Sequence, residues 1–467
     1  MRKEKAKTWP LYVGPLVAII VGVILYYYAG LNPKACITAA ITSWCAVWWV
    51  FEPMPIEATA IIPFALFPMF GVINAKQAAA SYGKEVVLLF IGAFMLAKAL
   101  EKSGTHRRLA IGMVKAVGGV GGRRLVLGFI LASAVLSMWL SNTATTIMLI
   151  PVIIAILEDL DEHERKILAV PLLMGLVIGV NIGGVGTPVG TPPNLICKAI
   201  FEEFTGRDIT FPEWMKIGVP VVAIMIPVTW LWLSRGLGKA KPVKLPVLGP
   251  WRAEEKRTLT IFILTALAWF FRTFPDGGWC SLLNVSAGVS TVPMLAVMIM
   301  LVCPNGHGGT LLDWKTAKNI PWGLLVVVGG SLTIGTAFNE SGLSKVIGDT
   351  MAGLSSWSKL GMILAISVSA GFVTNMMNHT AMASLLMPIL AASSISTGID
   401  PIQLMLPAAM AISLAFMMPI ATMSNMIIYD TGHIRVRTMI KEGFIPNLIG
   451  VLVVGLMCYL MLVVFAP

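Results

Sequence analysis

The chain has 467 residues, of which 57% are hydrophobic and only 12% are charged, and its mean hydropathy is +0.83. A soluble domain is about 25% charged, so this composition excludes one and predicts an all-α protein that crosses a lipid bilayer many times. The net charge of +11 does not indicate nucleic-acid binding, because the basic residues cluster in short loops between apolar runs.

Apolar runs recur along the whole chain. They predict about eleven transmembrane helices, because a bilayer core needs roughly 20 apolar residues per helix. The first run, Trp9–Tyr28, is too long for a cleaved signal peptide and is expected to remain as a helix. The basic loops place the N-terminus in the cytoplasm, most naturally at a bacterial inner (plasma) membrane. These loops contain Arg2, Lys3, Lys5, Lys7, Arg107, Arg108, Lys115, Arg123, Arg124, Arg235, Lys239, Lys241 and Lys244.

Three motifs recur in the same order and predict a duplicated chain. The pairs are LEKSG (Leu100–Gly104) and FNESG (Phe338–Gly342), NTATTIMLIP (Asn142–Pro151) and HTAMASLLMP (His379–Pro388), and TPVGTPPN (Thr187–Asn194) and MPIATMSN (Met418–Asn425), which lie 238, 237 and 231 residues apart. We expect an inverted repeat, with residues 1–234 as the N-terminal membrane repeat, 235–257 as a cytoplasmic linker and 258–467 as the C-terminal membrane repeat. Duplicated halves with broken apolar segments in matching places are typical of secondary transporters.

The first polar interruption lies at Ser141-Asn142-Thr143, midway between Arg124 and Glu158. Each arm of about 15 residues rises only about 23 Å as a helix, which is too short to cross a bilayer. The pattern therefore predicts a re-entrant hairpin over about 125–157 that enters from the cytoplasm and turns at Ser141–Thr143.

The following apolar run, about 168–203, is predicted to be a broken helix. NIGGVGTPVGTPPN (Asn181–Asn194) holds four glycines and three prolines in mid-span, and no continuous helix survives that content. We expect an unwound segment near Gly183–Thr191 and a second half-helix that begins near Pro192, since proline is favoured at a helix N-terminus.

The second half repeats this arrangement. A re-entrant hairpin over about 360–395 is expected to turn at Asn378–Thr380, and a broken helix over about 402–429 is expected to unwind at MMPIATMSN (Met417–Asn425). Broken backbone at membrane depth is tolerated only where it is buried or lines a cavity, so both tips should face a common site.

Such a site suits an anion together with a cation. Half-helix N-termini attract anions, whereas unwound carbonyl groups suit Na⁺. Neither the hairpin tips nor the broken motifs contain Arg or Lys. The anion would be held by dipoles, hydroxyls and amides, and co-bound Na⁺ would neutralise it.

The polar tips in both halves, together with GTPPN on a broken helix, resemble the divalent anion/sodium symporter family over essentially the whole chain. The resemblance implies a homodimeric elevator transporter, not an enzyme, with a scaffold and a moving transport domain in each protomer, that carries small dianions such as dicarboxylates, citrate or sulfate. It implies substrate contacts from Ser141, Asn142, Thr143, Gly190, Thr191, Asn378, His379, Thr380 and Thr422, with Pro192 and Met423 adjoining. It also implies a first Na⁺ site formed by Ser137, Ser141, Asn142 and Gly190, and a second formed by Thr374, Met377, His379 and Ala421.

The second tip departs from the family pattern, since it reads Asn378-His379-Thr380 where Ser-Asn-Thr is usual. An amide offers Na⁺ a carbonyl oxygen, whereas an imidazole offers one nitrogen or, when protonated, two donors. Three roles for His379 therefore stay open: proton coupling or anion exchange in place of one Na⁺, a neutral hydrogen-bonding contact to substrate, or a structural role.

The patterns fit two other classes of membrane protein less well than they fit a transporter. A channel would need a continuous pore lined by charged rings or carbonyl filters, and an enzyme would need clustered catalytic groups, whereas the chain has only five histidines. Two separated tips suit a ligand with an anionic group at each end. We therefore expect C4-dicarboxylates such as succinate, fumarate and malate as substrates ahead of sulfate and citrate. Na⁺ symport, Na⁺-independent exchange and proton-linked exchange all remain possible.

Overall fold

A computed structural model describes residues 8–117, 122–237, 245–246, 248–275, 277–350 and 357–464, with the side chains of 395–397 excepted. Within these residues the regular structure is helical, apart from one isolated bridge between Pro304 and Thr310. The ends of the two predicted repeats (1–7 and 465–467) and three of the seven basic residues of the predicted linker lie outside the described residues. The basic residues concerned are Arg2, Lys3, Lys5, Lys7, Lys239, Lys241 and Lys244.

Twelve helices are described in the first half of the chain. They are α1 (Trp9–Tyr27), α2 (Pro33–Phe51), α3 (Ile56–Thr59), α4 (Ile62–Met69), α5 (Ala75–Tyr82), α6 (Glu85–Ser103), α7 (Thr105–Ala116), α8 (Gly122–Ser137), α9 (Asn142–Glu158), α10 (Glu162–Val185), α11 (Pro192–Thr205) and α12 (Phe211–Leu233).

Eleven α-helices are described in the second half. They are α13 (Ala253–Phe270), α14 (Gly278–Leu282), α15 (Thr291–Val302), α16 (Trp314–Ala317), α17 (Trp322–Ser341), α18 (Leu343–Thr350), α19 (Lys359–Val373), α20 (His379–Thr397), α21 (Pro401–Ser413), α22 (Met423–Asp430) and α23 (Val436–Tyr459). Two short 3₁₀ turns, Thr374–Met376 and Pro419–Ala421, precede α20 and α22, and a π-helical segment, Leu460–Val464, follows α23.

The predicted all-α membrane architecture is confirmed. Seven helices in the described part of the chain are long and apolar enough to cross a bilayer, and four further apolar stretches are shorter. The shorter stretches are Ile56–Met69, Asn142–Glu158, Thr291–Val302 and Pro401–Ser413. The number of about eleven crossings stays a prediction.

The first pair of matched motifs has one structural role in both halves. LEKSG ends α6 and FNESG ends α17. Their glycines, Gly104 and Gly342, both have φ of +75°, and their N–H groups donate to the carbonyl groups of Glu101 and Asn339 at 3.1 and 3.2 Å. A glycine in this left-handed conformation is a common end to a helix.

The second pair of motifs begins a helix in both halves, and here the expected tips need a correction. The chain breaks over residues 138–141 and again over residues 377–378, but Asn142, Thr143, His379 and Thr380 already belong to the first turns of α9 and α20. The physical reason is helix capping. A polar residue with an extended backbone accepts, through its side chain, a hydrogen bond from a backbone N–H of the new helix, which can then begin at the next residue.

The third pair of motifs lies where α10 gives way to α11 and α21 gives way to α22. The first of these breaks covers residues 186–191, so it is shorter than the expected Gly183–Thr191. Helix α10 continues through Gly183 because it packs closely on α8, where a Cβ on that glycine would overlap the carbonyl group of Ala134. Small residues allow such close approach of membrane helices.

The interior of the fold is built around α10 and α21. Of the most apolar 18-residue window of α10, 83% is buried, whereas the figure for α1 at the periphery is 17%. Helix α9 packs against α22, and α20 packs against α11. The helix that follows the break in each half, α9 or α20, therefore packs on the second part of the broken helix in the other half, α22 or α11.

The predicted linker ends in helical structure. Helix α13 begins at Ala253, before the expected boundary at 258, and Glu254 and Glu255 lie in its first turn. Acidic residues stabilise a helix N-terminus, and the Glu255 carboxylate accepts a hydrogen bond from the backbone N–H of Arg252 at 2.7 Å.

Candidate functional site

Ser137 and Asn142 face each other across the break between α8 and α9. The Ser137 hydroxyl donates to the Asn142 Oδ1 at 2.7 Å, and both residues are buried. A Cβ placed on Gly184 would lie 3.0 Å from that Oδ1 and 3.1 Å from the Cβ of Thr191, and a Cβ on Gly190 would lie 2.5 Å from the Gly184 carbonyl oxygen. The last turn of α10 thus packs directly on the start of α9, and the broken segment after α10 packs back on that turn.

The oxygen atoms gathered here fit a hard cation. Ser137 supplies a hydroxyl, Asn142 an amide carbonyl, and the broken backbone supplies further carbonyl groups, which are the donors that Na⁺ prefers in transporters. The Thr191 hydroxyl is buried and has no hydrogen-bond partner among the described residues. Of the four residues predicted for the first Na⁺ site, Ser137 and Asn142 are in direct contact, and Gly190 packs on Gly184, which adjoins Asn142.

The fourth predicted residue, Ser141, caps α9. Its hydroxyl accepts a hydrogen bond from the backbone N–H of Ala144 at 3.2 Å. Thr143 is partly exposed in the same first turn of the helix, where backbone N–H groups and the helix dipole attract negative charge.

The second break carries the other predicted set. Asn378 caps α20 by accepting from the backbone N–H of Thr380 at 2.9 Å. His379 and Thr380 are buried, and the His379 Nδ1 has no hydrogen-bond partner among the described residues. The capped tip is thus present in the second half, with an unpaired ring nitrogen beside it.

The remaining residues of the second Na⁺ prediction lie on two contacting turns. The 3₁₀ turn that begins at Thr374 packs against the 3₁₀ turn that ends at Ala421, and the Thr374 hydroxyl donates to the Ile412 carbonyl oxygen at 3.3 Å. Met377 follows the first turn and is buried, while Thr422 caps α22.

Sequence reasoning missed a buried cation, Lys198 on α11. It is 1% exposed, donates to the Ile209 carbonyl oxygen at 2.8 Å and forms an ion pair with Asp208. Asp208 also lies 3.4 Å from the guanidinium of Arg272. Because its ammonium group is satisfied by these partners, Lys198 is not free to bind an anion at the tips.

Sequence reasoning also missed two asparagines that hold the broken segments. Asn194 donates to the carbonyl oxygens of Gly184 and Thr187, both at 2.8 Å. Asn425 donates to those of Ala415 and Met418 at 3.0 and 2.9 Å. The available signal was their shared place as the last residue of the third motif pair.

Breaks at matching places in the two halves, with capped helix starts and uncharged polar groups inside an apolar helical protein, define a secondary membrane transporter. The chain matches the family model described as "Sodium:sulfate symporter transmembrane region" over residues 5–465. The chain belongs to this family, which is the divalent anion/sodium symporter family, and the resemblance inferred from its motifs is confirmed.

Known relatives span nearly its full length. The sodium-dependent dicarboxylate transporter SdcS of Staphylococcus saprophyticus subsp. saprophyticus is 34% identical, with 96% of this chain and 91% of the relative covered. SdcS of Staphylococcus aureus is also 34% identical, with 98% and 93% covered. The crystal structure of the Alcanivorax borkumensis YdaH transporter is similar in fold, with a TM-score of 0.53, 14% identity and 97% of each chain covered.

Proposed function

We propose that this protein is a Na⁺-coupled secondary transporter of divalent organic anions, and that C4-dicarboxylates such as succinate, fumarate and malate are its substrates. The SdcS relatives, which are named sodium-dependent dicarboxylate transporters, support this proposal. We also propose that it works as a homodimer by an elevator motion, in a bacterial inner membrane with its N-terminus in the cytoplasm.

The observation that carries the proposal is the contact between the Ser137 hydroxyl and the Asn142 carbonyl oxygen at the N-terminus of α9. A cation held by these oxygens lies next to helix N–H groups that attract an anion. Each ion then lowers the cost of burying the other, which is the physical basis of coupled transport.

Two features favour a substrate with two anionic ends. In each half of the chain the second matched motif begins a helix at a capped break, α9 with Thr143 and α20 with Thr380 in the first turn. We propose that a C4-dicarboxylate places one carboxylate near each of these helix N-termini, whereas sulfate has a single centre. Citrate and sulfate are the alternative substrates.

The two predicted Na⁺ sites differ in their donors. The first offers hydroxyl, amide and backbone oxygens, whereas the second has an imidazole where the family usually has an amide. We propose that Na⁺ binds at the first site and that His379 replaces the second cation ligand with a nitrogen. In the alternative function, a Na⁺-independent or proton-linked anion exchanger, the unpaired Nδ1 of His379 would be the atom that binds the proton or contacts the anion.

Uptake of labelled succinate into proteoliposomes tests the proposal. We expect concentrative uptake driven by an inward Na⁺ gradient, none with K⁺ in its place, and competition by fumarate and malate that exceeds competition by citrate or sulfate. Uptake that needs an internal counter-substrate and ignores Na⁺ would establish the exchanger instead.

A further inference from the structure

Asn181 is a buried amide in the middle of the fold that no prediction singled out. It lies in α10, four residues before that helix ends at Val185. Its Oδ1 accepts a hydrogen bond from Asn142 Nδ2 at 3.1 Å. Its Nδ2 donates to Asn425 Oδ1 at 3.2 Å and to the Ala415 carbonyl oxygen at 3.1 Å. Both amide hydrogens and one lone pair are therefore used.

The bond from Asn142 to Asn181 sets which end of the Asn142 amide faces the cation site. The two ends of an amide are similar in shape, but only the oxygen can ligate Na⁺. Because Asn181 presents an oxygen to Asn142, the Asn142 nitrogen must face it, and the Asn142 oxygen is turned toward Ser137. If the side-chain amide of Asn142 were rotated by about 180°, its Oδ1 would face the Oδ1 of Asn181, and two acceptors would repel each other.

The other side of Asn181 is joined to the second half of the chain. Asn425 Nδ2 donates to the same Ala415 carbonyl oxygen that Asn181 contacts. Ala415 belongs to the break between α21 and α22. A continuous chain of hydrogen bonds therefore runs from Ser137 through Asn142 and Asn181 to the broken segment of the opposite half.

We infer that Asn181 is a positioning residue for Na⁺ binding: it holds the Asn142 oxygen toward the first cation site and joins that site to the broken segment at Ala415. This inference rests on the proposed Na⁺ coupling. Residues that orient a metal ligand in this way typically contribute about 10–100-fold to the affinity for the metal.

The test is Asn181→Ser in the full-length purified protein. A serine hydroxyl can bond to its own helix backbone, so the new side chain is itself satisfied, yet it is too short to hold the Asn142 amide nitrogen or to donate to the Asn425 Oδ1. We expect the Na⁺ concentration that half-saturates thermal stabilisation to rise by about 10–100-fold, and uptake at saturating Na⁺ to be largely retained. Asn181→Ala is the second variant if the serine form is unstable.

Asn447→Ser is the matched control, because Asn447 is equally buried but donates only to the main-chain carbonyl groups of Gly371 and Leu414. Its Na⁺ half-saturation should stay at the wild-type value. Wild-type half-saturation in both Asn181 variants, or an equal rise in the Asn447 control, would overturn the inference. A wild-type protein that Na⁺ stabilises no more than K⁺ does would instead refute the proposed function itself.

Discussion

Asn194 and Asn425 make the same pair of hydrogen bonds in different halves of the chain. Each side-chain amide donates to the carbonyl groups ten and seven residues earlier, which belong to Gly184 and Thr187 in one half and to Ala415 and Met418 in the other. Backbone groups at membrane depth need internal partners, so both asparagines keep a broken segment satisfied. The shared pattern, at a single offset of 231 residues, supports the proposed repeat.

Asn194→Ala should therefore lower thermal stability. The substitution removes the side-chain donor from two buried carbonyl groups, of which that of Thr187 keeps only the backbone N–H of Gly190 at 3.4 Å. An unsatisfied buried group costs about 1–3 kcal/mol. We expect a clear fall in the melting temperature of the purified protein, and Asn425→Ala should cost at least as much because it also loses the bond from Asn181. Asn319→Ala is the control, since this exposed asparagine also donates to a main-chain carbonyl group, which water can satisfy. Equal melting temperatures for all three variants would contradict the role of the two buried asparagines.

Ser137→Ala should weaken the response to Na⁺. The change removes one oxygen from the proposed first site, and we expect the Na⁺ concentration for half-maximal succinate uptake to rise by at least about tenfold. Ser133→Ala, one turn earlier on α8, is the matched control because its buried hydroxyl donates only to the Ile130 carbonyl oxygen. If both variants respond to Na⁺ as the wild type does, Ser137 is not a cation ligand.

Gly190→Ala should impair Na⁺-dependent uptake. The added Cβ would lie 2.5 Å from the Gly184 carbonyl oxygen, so the backbone beside Asn142 must shift. Overpacking of this kind costs about 1–3 kcal/mol of folding stability, and the shifted backbone should also weaken Na⁺ binding beside Asn142. Gly112→Ala on α7 adds a Cβ to open space and should leave uptake unchanged. Normal uptake by Gly190→Ala would show that this segment does not shape the site.

His379→Asn should make the Na⁺ dependence of uptake steeper. The amide restores a carbonyl oxygen at the second tip, so a second Na⁺ can bind there. The measurement is the Hill coefficient for Na⁺ in proteoliposome uptake, and His433→Asn, at an exposed position after α22, is the control. An unchanged Hill coefficient together with unchanged Na⁺ affinity would exclude His379 from the cation site.

Asp208→Ala should destabilise the protein without acting on the cation site directly. It leaves the buried Lys198 ammonium group with only the Ile209 carbonyl oxygen. The loss of one partner of a fully buried ion pair costs about 3–5 kcal/mol, and we expect a smaller cost here because the Asp208 side chain is 24% exposed. Lys198→Met, which removes the buried charge itself, should cost less. Lys166→Ala breaks an exposed pair with Glu162 and should change stability by less than about 1 kcal/mol. Thermal unfolding in detergent compares the three variants, and an equal effect of all three would contradict a buried ion pair.

Much of the helical framework could be predicted because its signals are local. Ser141 and Asn378 begin helices and Gly104 and Gly342 end them through contacts with residues only a few positions away. The exact limits of the breaks were less predictable. Gly183 remains helical because α10 packs on α8, and no local pattern reports that neighbour.

The sequence by itself determined the membrane class, the family, the places where the apolar runs are interrupted and the polar residues at those places. Composition and short motifs suffice for these, since they depend on hydrophobicity and on near neighbours along the chain. Only the tertiary structure decided that Asn181 joins Asn142 to Asn425. It also decided that Lys198 forms an ion pair with Asp208 and is therefore not free to bind an anion at the tips. The direction of a buried amide or ammonium group depends on which distant segment supplies its partner, and helix packing across the two halves fixes that choice.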